Sequence, residues 1–484
     1  MSDPCYLPAT EALRLFRERR LSPVELMEAV IARAEAVEPT VNALCVTFFD
    51  EALAAAREAE EAYMGRGGPP RPLTGLPVGI KDEMPVAGQP CSGGSLLYKD
   101  EITEESTVVA ERILEAGGIV HARTTTPEFS CAGFTHSRLW GVTRNPWNPE
   151  YAVGGSSGGS GAALASGTAA LASGSDIGGS IRLPASFNGV VGFKPPFGRV
   201  PETSPYNLDQ YCHEGPLART VADCALFENV ISGPDPRDLV CVAPKLEIPE
   251  RLDGVEGMRV ALVASPGDWP LDPEVEANTR AAGDAFREAG ARVDDVELAV
   301  AKQDVKRAML VHFGALFGAD IMSAVEAHRE LLTPYAIEMA ESTAAALHDT
   351  SFAEGVRLEA GIMAAIAALL RDHDFLLLPT VATRGFVAGD DYVGHGLTVG
   401  GVELPDYVEA FLTPLFNIAS RCPVLNVPSG FADNGVPTGL QIVGRPYDDV
   451  TVFRAGAAFE RLRPWLDVPE RRPMQATTGA AGPR

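Results

Sequence analysis

Two clusters of glycine and serine, Gly154-Gly155-Ser156-Ser157-Gly158-Gly159-Ser160 and Gly178-Gly179-Ser180, stand on either side of an alanine-rich run. Glycine inside regular structure costs about 0.5–1 kcal/mol relative to alanine, so clusters this dense mark places where the backbone itself has work to do. A phosphate-binding loop is disfavoured, because Gly159 is followed by Ser160 where that loop requires lysine. Gly155-Ser156-Ser157-Gly158-Gly159 fits the G-x-S-x-G turn that exposes a nucleophilic serine, here Ser157, but the acid and histidine it needs have no distinctive spacing downstream. A third reading joins the clusters into one acyl-transfer site. The consecutive amides of Ile177, Gly178, Gly179 and Ser180 would steady a developing oxyanion, each well-placed donor contributing roughly 3–4 kcal/mol, and Ser180 would attack. The ordinary alternative is a glycine-rich turn capped by a serine, and these residues alone leave both open.

Such a site needs a frame. Ser22-Pro23-Val24-Glu25 is a capping box with proline at the first helical position, and Leu26, Ala29, Val30, Ala34 and Val37 follow at helical spacing. A second, polar helix spans 50–63, and the proline- and glycine-rich stretch 64–75 leads into the apolar run LPVGIKD. From Ser106 helix and strand alternate. The segment GMRVALVAS reads as a strand, Asp272-Pro273 caps and starts a helix, and ARVDDVEL returns as a strand. That βαβ unit implies a mostly parallel sheet with helices on both faces. Residues 300–372 read as helical, DFLLLPT as a fully buried strand, and the alanine-rich stretch 162–172 as a tightly packed helix.

At 484 residues, with 46% hydrophobic and 22% charged residues, the chain reads as a globular protein of one large or two to three average domains. Its formal charge of −25 argues against a nucleic-acid or anionic-membrane partner. The amino terminus lacks the basic and apolar regions of a secretion signal, so a cytoplasmic location is expected. Eight scattered cysteines without a C-x-x-C pair fit free thiols, and neither they nor the eight histidines have metal-ligand spacing, so no metal or cofactor is expected.

One lysine completes the pattern. Lys81 in GIKDE, the cluster GGSSGGSGAAL (154–164) and SDIGGSIRLPASFNGVVGFKP (175–195) are spaced by 75 residues from Lys81 to Ser156 and 24 from Ser156 to Ser180. With TRNPWNP, GPLARTVAD and the segment from FNIASRCPVLNVPSG to GRPYDD, the chain resembles the amidase signature family over roughly residues 10–465. One departure is Pro196, where that family usually has threonine.

The resemblance implies an α/β fold: a single large domain with a mixed, mostly parallel twisted sheet covered by helices on both faces. Residues 1–65 are then a helical segment packed on the core, 66–470 the core with a helical pocket region at about 300–400, and 471–484 a disordered tail. It implies Ser180 as nucleophile, Ser156 as a bridging serine in a cis peptide, and Lys81 as base. A lysine base has to be uncharged, and burial disfavours the ammonium, so Asp82 and Glu83 are expected to point away, with Arg182 a partner for a carboxylate. Asp176, Ser157 and Arg182 are supporting residues, and Phe129, Ser130, Cys131 and Phe134 line the acyl site. Cys131 has no cation close by to stabilise a thiolate and is set aside as nucleophile. Helix 300–372, including Met309, Leu310, Phe313, Leu316, Phe317 and Met322, and the loop 386–401 supply the rest of the pocket or a lid, or those apolar residues are core. The implied activity is hydrolysis of a small amide, carbamate or ester by a monomer or homodimer. The alternative is the glutamine-hydrolysing component of a tRNA-dependent amidotransferase.

Overall fold

The run Pro77–Lys81 is a strand buried at every residue. In the structure, a computed structural model that describes residues 3–474, it lies inside an eleven-stranded sheet. In chain order the strands are β1 (Leu44–Thr47), β2 (Pro77–Lys81), β3 (Ile119–Thr124), β4 (Leu171–Ser175), β5 (Val191–Lys194), β6 (Glu214–Ala218), β7 (Arg259–Leu262), β8 (Arg292–Asp295), β9 (Phe375–Pro379), β10 (Val424–Phe431) and β11 (Pro437–Gly444). Their order across the sheet is β1-β3-β2-β4-β6-β5-β10-β11-β9-β7-β8. The sheet is mixed, but parallel pairs are the minority. Only β2/β3, β2/β4, β7/β9 and β7/β8 run parallel, and the other six neighbouring pairs are antiparallel. The βαβ signal reports the two flanks, whereas the centre is built from antiparallel neighbours such as β10 and β11, which a short turn can join.

Both faces of the sheet are covered. Leu377 in β9 packs into one hydrophobic cluster with the amino-terminal helices, while Leu376 and Leu378 pack into a second. This period-two alternation is what a strand buried on both sides requires. The first cluster holds α1 (Pro23–Val41), whose capping box forms with Ser22 Oγ accepting from the Glu25 amide at 3.1 Å, and α2 (Phe49–Tyr63) packs against α1. In the alanine-rich region the helix α3 (Gly158–Ser166) begins within the glycine cluster and stops at Gly167, whose φ of 78° is left-handed; residues 171–172 belong to β4. The glycines are needed for proximity: a Cβ on Gly159 would stand 2.3 Å from the Thr125 amide nitrogen. After Ser180 comes α4 (Arg182–Asn188), and α5 (Pro273–Glu288) is the crossover between β7 and β8. Asp272 occupies the N-cap position of α5 but its carboxylate caps nothing. It accepts instead from the amides of Arg384 and Gly400, each at 2.8 Å.

The second cluster is covered by α6 (Lys302–Ala315), α7 (Phe317–His328), α8 (Pro334–Asp349) and α9 (Phe352–Asp372), as the helical reading of 300–372 expects. Among the described residues no single helix is long and apolar enough to cross a membrane. The expected tail lies mostly outside the described residues, and its first part is packed: Arg472 stacks over the Tyr6 ring at 4.6 Å.

Candidate active site

Strands β2 and β4 run parallel, so the lysine that ends one and the serine that ends the other emerge at the same sheet edge. Lys81 is fully buried, and its Nζ donates to Ser156 Oγ at 2.7 Å and to Ser175 Oγ at 2.9 Å. The peptide bond between Gly155 and Ser156 is cis. The Ser157 amide donates to the Ser180 carbonyl at 3.2 Å, tying the two serine clusters together. Ser157 sits at the N-cap of α3 but does not cap it; its hydroxyl contacts the Ser175 carbonyl and amide at 3.4 and 3.3 Å. Among the described residues the Ser180 side chain has no hydrogen-bond partner, and it lines a cavity.

The loop before Ser180 is shaped by a buried ion pair. Arg182 holds Asp176 through two bonds of 2.8 and 3.0 Å and reaches the Thr413 carbonyl, Gln441 and Asn417, each at 2.8 Å. Burial alone would raise the Asp176 carboxyl, but the guanidinium beside it holds it well below the usual carboxylate range. Asp176 in turn accepts from the amides of Gly179 at 2.8 Å and Ile181 at 3.2 Å. The Gly179 amide is therefore committed to a carboxylate and is not a free oxyanion donor. The amides of Ile177, Gly178 and Ser180 have no protein acceptor among the described residues.

Glu83 departs from expectation. It points at the lysine, with a carboxylate oxygen 2.7 Å from Lys81 Nζ, and accepts a short hydrogen bond from the Ser175 hydroxyl. Burial, the largest effect, pushes its carboxyl up, but the charge of Lys81 and hydrogen bonds from Lys81, Ser130 and Ser175 together outweigh it and leave it lowered. Asp82 does turn away, accepting from the Ser92 amide at 3.0 Å and Trp140 Nε1 at 2.9 Å. Ser175 and Glu83 are site residues the sequence reading did not assign: Glu83 lies in the turn after β2, which brings its carboxylate back to the lysine that ends the strand.

Two cavities meet here. Ser180 lines an apolar one of about 40 Å³, walled by Cys131, Met309, Phe313, Phe317 and Phe411. Ser156 lines the larger and more polar one, of about 340 Å³, with Glu83, Asp176, Glu202 and Glu214 in its wall. Ser130 and Ile177 belong to both, and Phe129 to the second. Phe134 lines neither: it is core, stacked on His136 at 4.7 Å between ring centroids. Leu310, Leu316, Met322 and the loop 386–401 also stay outside both walls, where the later segment Tyr407–Phe411 takes the loop's expected place. Burial pushes the Cys131 thiol up, away from the thiolate a nucleophile needs. Among the described residues no group of three or more side chains has the arrangement of a metal site.

Comparison with known proteins gives the same direction. The model of the amidase family matches residues 25–453. A glutamyl-tRNA(Gln) amidotransferase component from Chloroflexus aggregans is 33% identical over 498 residues, covering 96% of this chain and 98% of that protein. An acylamidase of Rhodococcus erythropolis is 33% identical over 467 residues, covering 96% of each. The solved structure of a bacterial aryl acylamidase of the amidase signature enzymes superimposes with a TM-score of 0.88 at 29% identity, covering 97% of this chain and 99% of that one.

Proposed function

The chain belongs to the amidase signature family of amide hydrolases, and from that premise we propose that it acts without partner chains on a small amide, through an acyl-enzyme on Ser180. The observation that carries this reading is the 2.7 Å hydrogen bond from Lys81 to Ser156, beside a cavity lined by Ser180 and free backbone amides.

A serine hydroxyl attacks a carbonyl only when a base takes its proton. Uncharged Lys81 takes the Ser156 proton while Ser156 takes that of Ser180. Ser180 Oγ bonds to the carbonyl carbon, and the resulting oxyanion accepts from the amides of Ile177, Gly178 and Ser180. As the C–N bond breaks, the proton returns through Ser156 to the leaving nitrogen. Water then repeats the sequence on the ester, releasing a carboxylic acid and free Ser180. The apolar cavity of about 40 Å³ suits a short acyl group, since one water occupies roughly 10–15 Å³ by the same measure. Carbamates and esters offer the same carbonyl and belong to the candidate substrate range.

The second reading, a glutamine-hydrolysing component of an amidotransferase, has equal support from identity, 33% in both comparisons. Glutamine brings a carboxylate into the site, however, and neither cavity wall includes an arginine or a lysine among the described residues to receive it. That favours the stand-alone hydrolase. Gel filtration followed by an acetanilide assay on the isolated chain tests it: turnover by the purified monomer or homodimer supports the reading, and activity that requires partner chains overturns it.

A further inference from the structure

The polar cavity is charged in a way that amide hydrolysis alone does not require. Four carboxylates, Glu83, Asp176, Glu202 and Glu214, line its wall, and no lysine or arginine does among the described residues; Asp176 is matched by Arg182 at 2.8 Å from behind the wall. Glu83 is already partnered by the buried Lys81 amine at 2.7 Å. Glu214 is only 7% exposed, and its Oε2 has no hydrogen-bond partner. It stands directly across the sheet from Ser175, the serine bonded to Lys81, in the β4/β6 pairing. Glu202 accepts only the neighbouring Thr203 amide, at 2.6 Å. An ionised carboxylate buried without a cation or a donor is costly to keep, and either a proton or a bound positive charge relieves that cost.

We propose that this cavity receives a cationic group carried on the leaving amine of the substrate, with Glu214 and Glu202 as its counter-charges. The assignment rests on the amide-hydrolase reading, because the side of the scissile bond follows from the proton route. Ser156, which returns the proton to the leaving nitrogen, lines the polar cavity, while Ser180 and the Gly178 amide line the apolar one. The substrate class is therefore a short-chain amide of an amine bearing a second, protonated amino group. The volume of about 340 Å³ accommodates an aryl or alkyl spacer, and Phe129 and Tyr206 in the wall offer ring faces to a cation. Burial first, and the neighbouring carboxylates after it, push Glu202 up to about 8 and Glu214 well above the carboxylate range, a cost that a cation beside them would relieve.

The test compares two anilides that differ in charge, 4-(aminomethyl)acetanilide, an ammonium at pH 7, and its neutral counterpart 4-(hydroxymethyl)acetanilide. The readout is the ratio of their kcat/KM values, in the full chain and in Glu214→Gln and Glu202→Gln. The expected ratio in the unaltered protein is at least about tenfold in favour of the cation, the size of a charge-assisted contact, falling towards unity in each variant. Gln is isosteric, so thermal unfolding of the variants serves as the folding control, and either variant alone suffices for the comparison. Ser180-dependent turnover of both anilides with a ratio at or below one, or a ratio unchanged in both variants, overturns the inference and leaves the hydrolase reading standing. Absence of turnover on either anilide overturns both together.

Discussion

Lys81, the last residue of β2, and Glu83, in the turn that follows it, form an ion pair of 2.7 Å, with the lysine wholly buried. The same Nζ donates to Ser156. One buried amine therefore faces both a carboxylate and the bridging serine.

Glu83 accepts from the Ser175 hydroxyl and pairs with Lys81, so it holds both groups in place around Ser156. Glu83→Gln is expected to lower kcat for anilide turnover by about tenfold or more, because Lys81 and Ser175 lose a charged acceptor, with thermal unfolding as the folding control. An unchanged kcat contradicts the place given to Glu83 beside Lys81.

The Asp176–Arg182 pair is buried on both sides and holds the loop that presents Ser180. Removing one partner of such a pair strands a buried charge and costs about 3–5 kcal/mol. Arg182→Met is expected to lower the urea midpoint accordingly and to abolish measurable anilide turnover, read by denaturation and by steady-state assay. A variant of unaltered stability contradicts the role given to the pair.

His312 ties α6 to the loop before β6 and to α9, donating from Nε2 to Asp209 at 2.8 Å and from Nδ1 to Glu359 at 3.2 Å, with the Tyr211 ring stacked on it at 3.7 Å. Burial pulls its value down, but hydrogen bonds to the two carboxylates win and raise it from 6.5 to about 9. The folded value is the higher one, so the stabilisation is full below pH 6.5 and is lost as pH rises through about 9. The expected loss is on the order of 3 kcal/mol between those limits, measured by denaturation at each pH. His312→Asn is expected to flatten that part of the profile.

Much of this arrangement is readable in the chain. The spacing of Lys81, Ser156 and Ser180 marks residues that strands β2 and β4 and helix α3 bring to one place, and the capping box at Ser22 and the buried strand Phe375–Pro379 form where their local signals put them. Pairing direction is harder to read. The turn Asp433-Asn434-Gly435 between β10 and β11 carries a hairpin signal, but the order of strands depends on long-range packing that no local pattern encodes. Phe134 is placed in the pocket wall by the family resemblance and the loop 386–401 by its glycine content, whereas the structure uses the Phe134 ring as core and keeps that loop out of both cavity walls. Glu214 carried no local signal, since its importance lies in standing opposite Ser175 on another strand.

The central claim is that Ser180 carries the acyl group. Acid quench during turnover of p-nitrophenyl acetate, a fast-acylating ester, followed by peptide mapping, locates it directly. The account predicts an acetyl group on the peptide containing Ser180, none in Ser180→Ala, and slowed acylation at the same residue in Ser156→Ala, with anilide turnover in Ser180→Ala reduced by about 10⁴-fold or more. An adduct on Ser157 or Cys131, or undiminished turnover in Ser180→Ala, would contradict it.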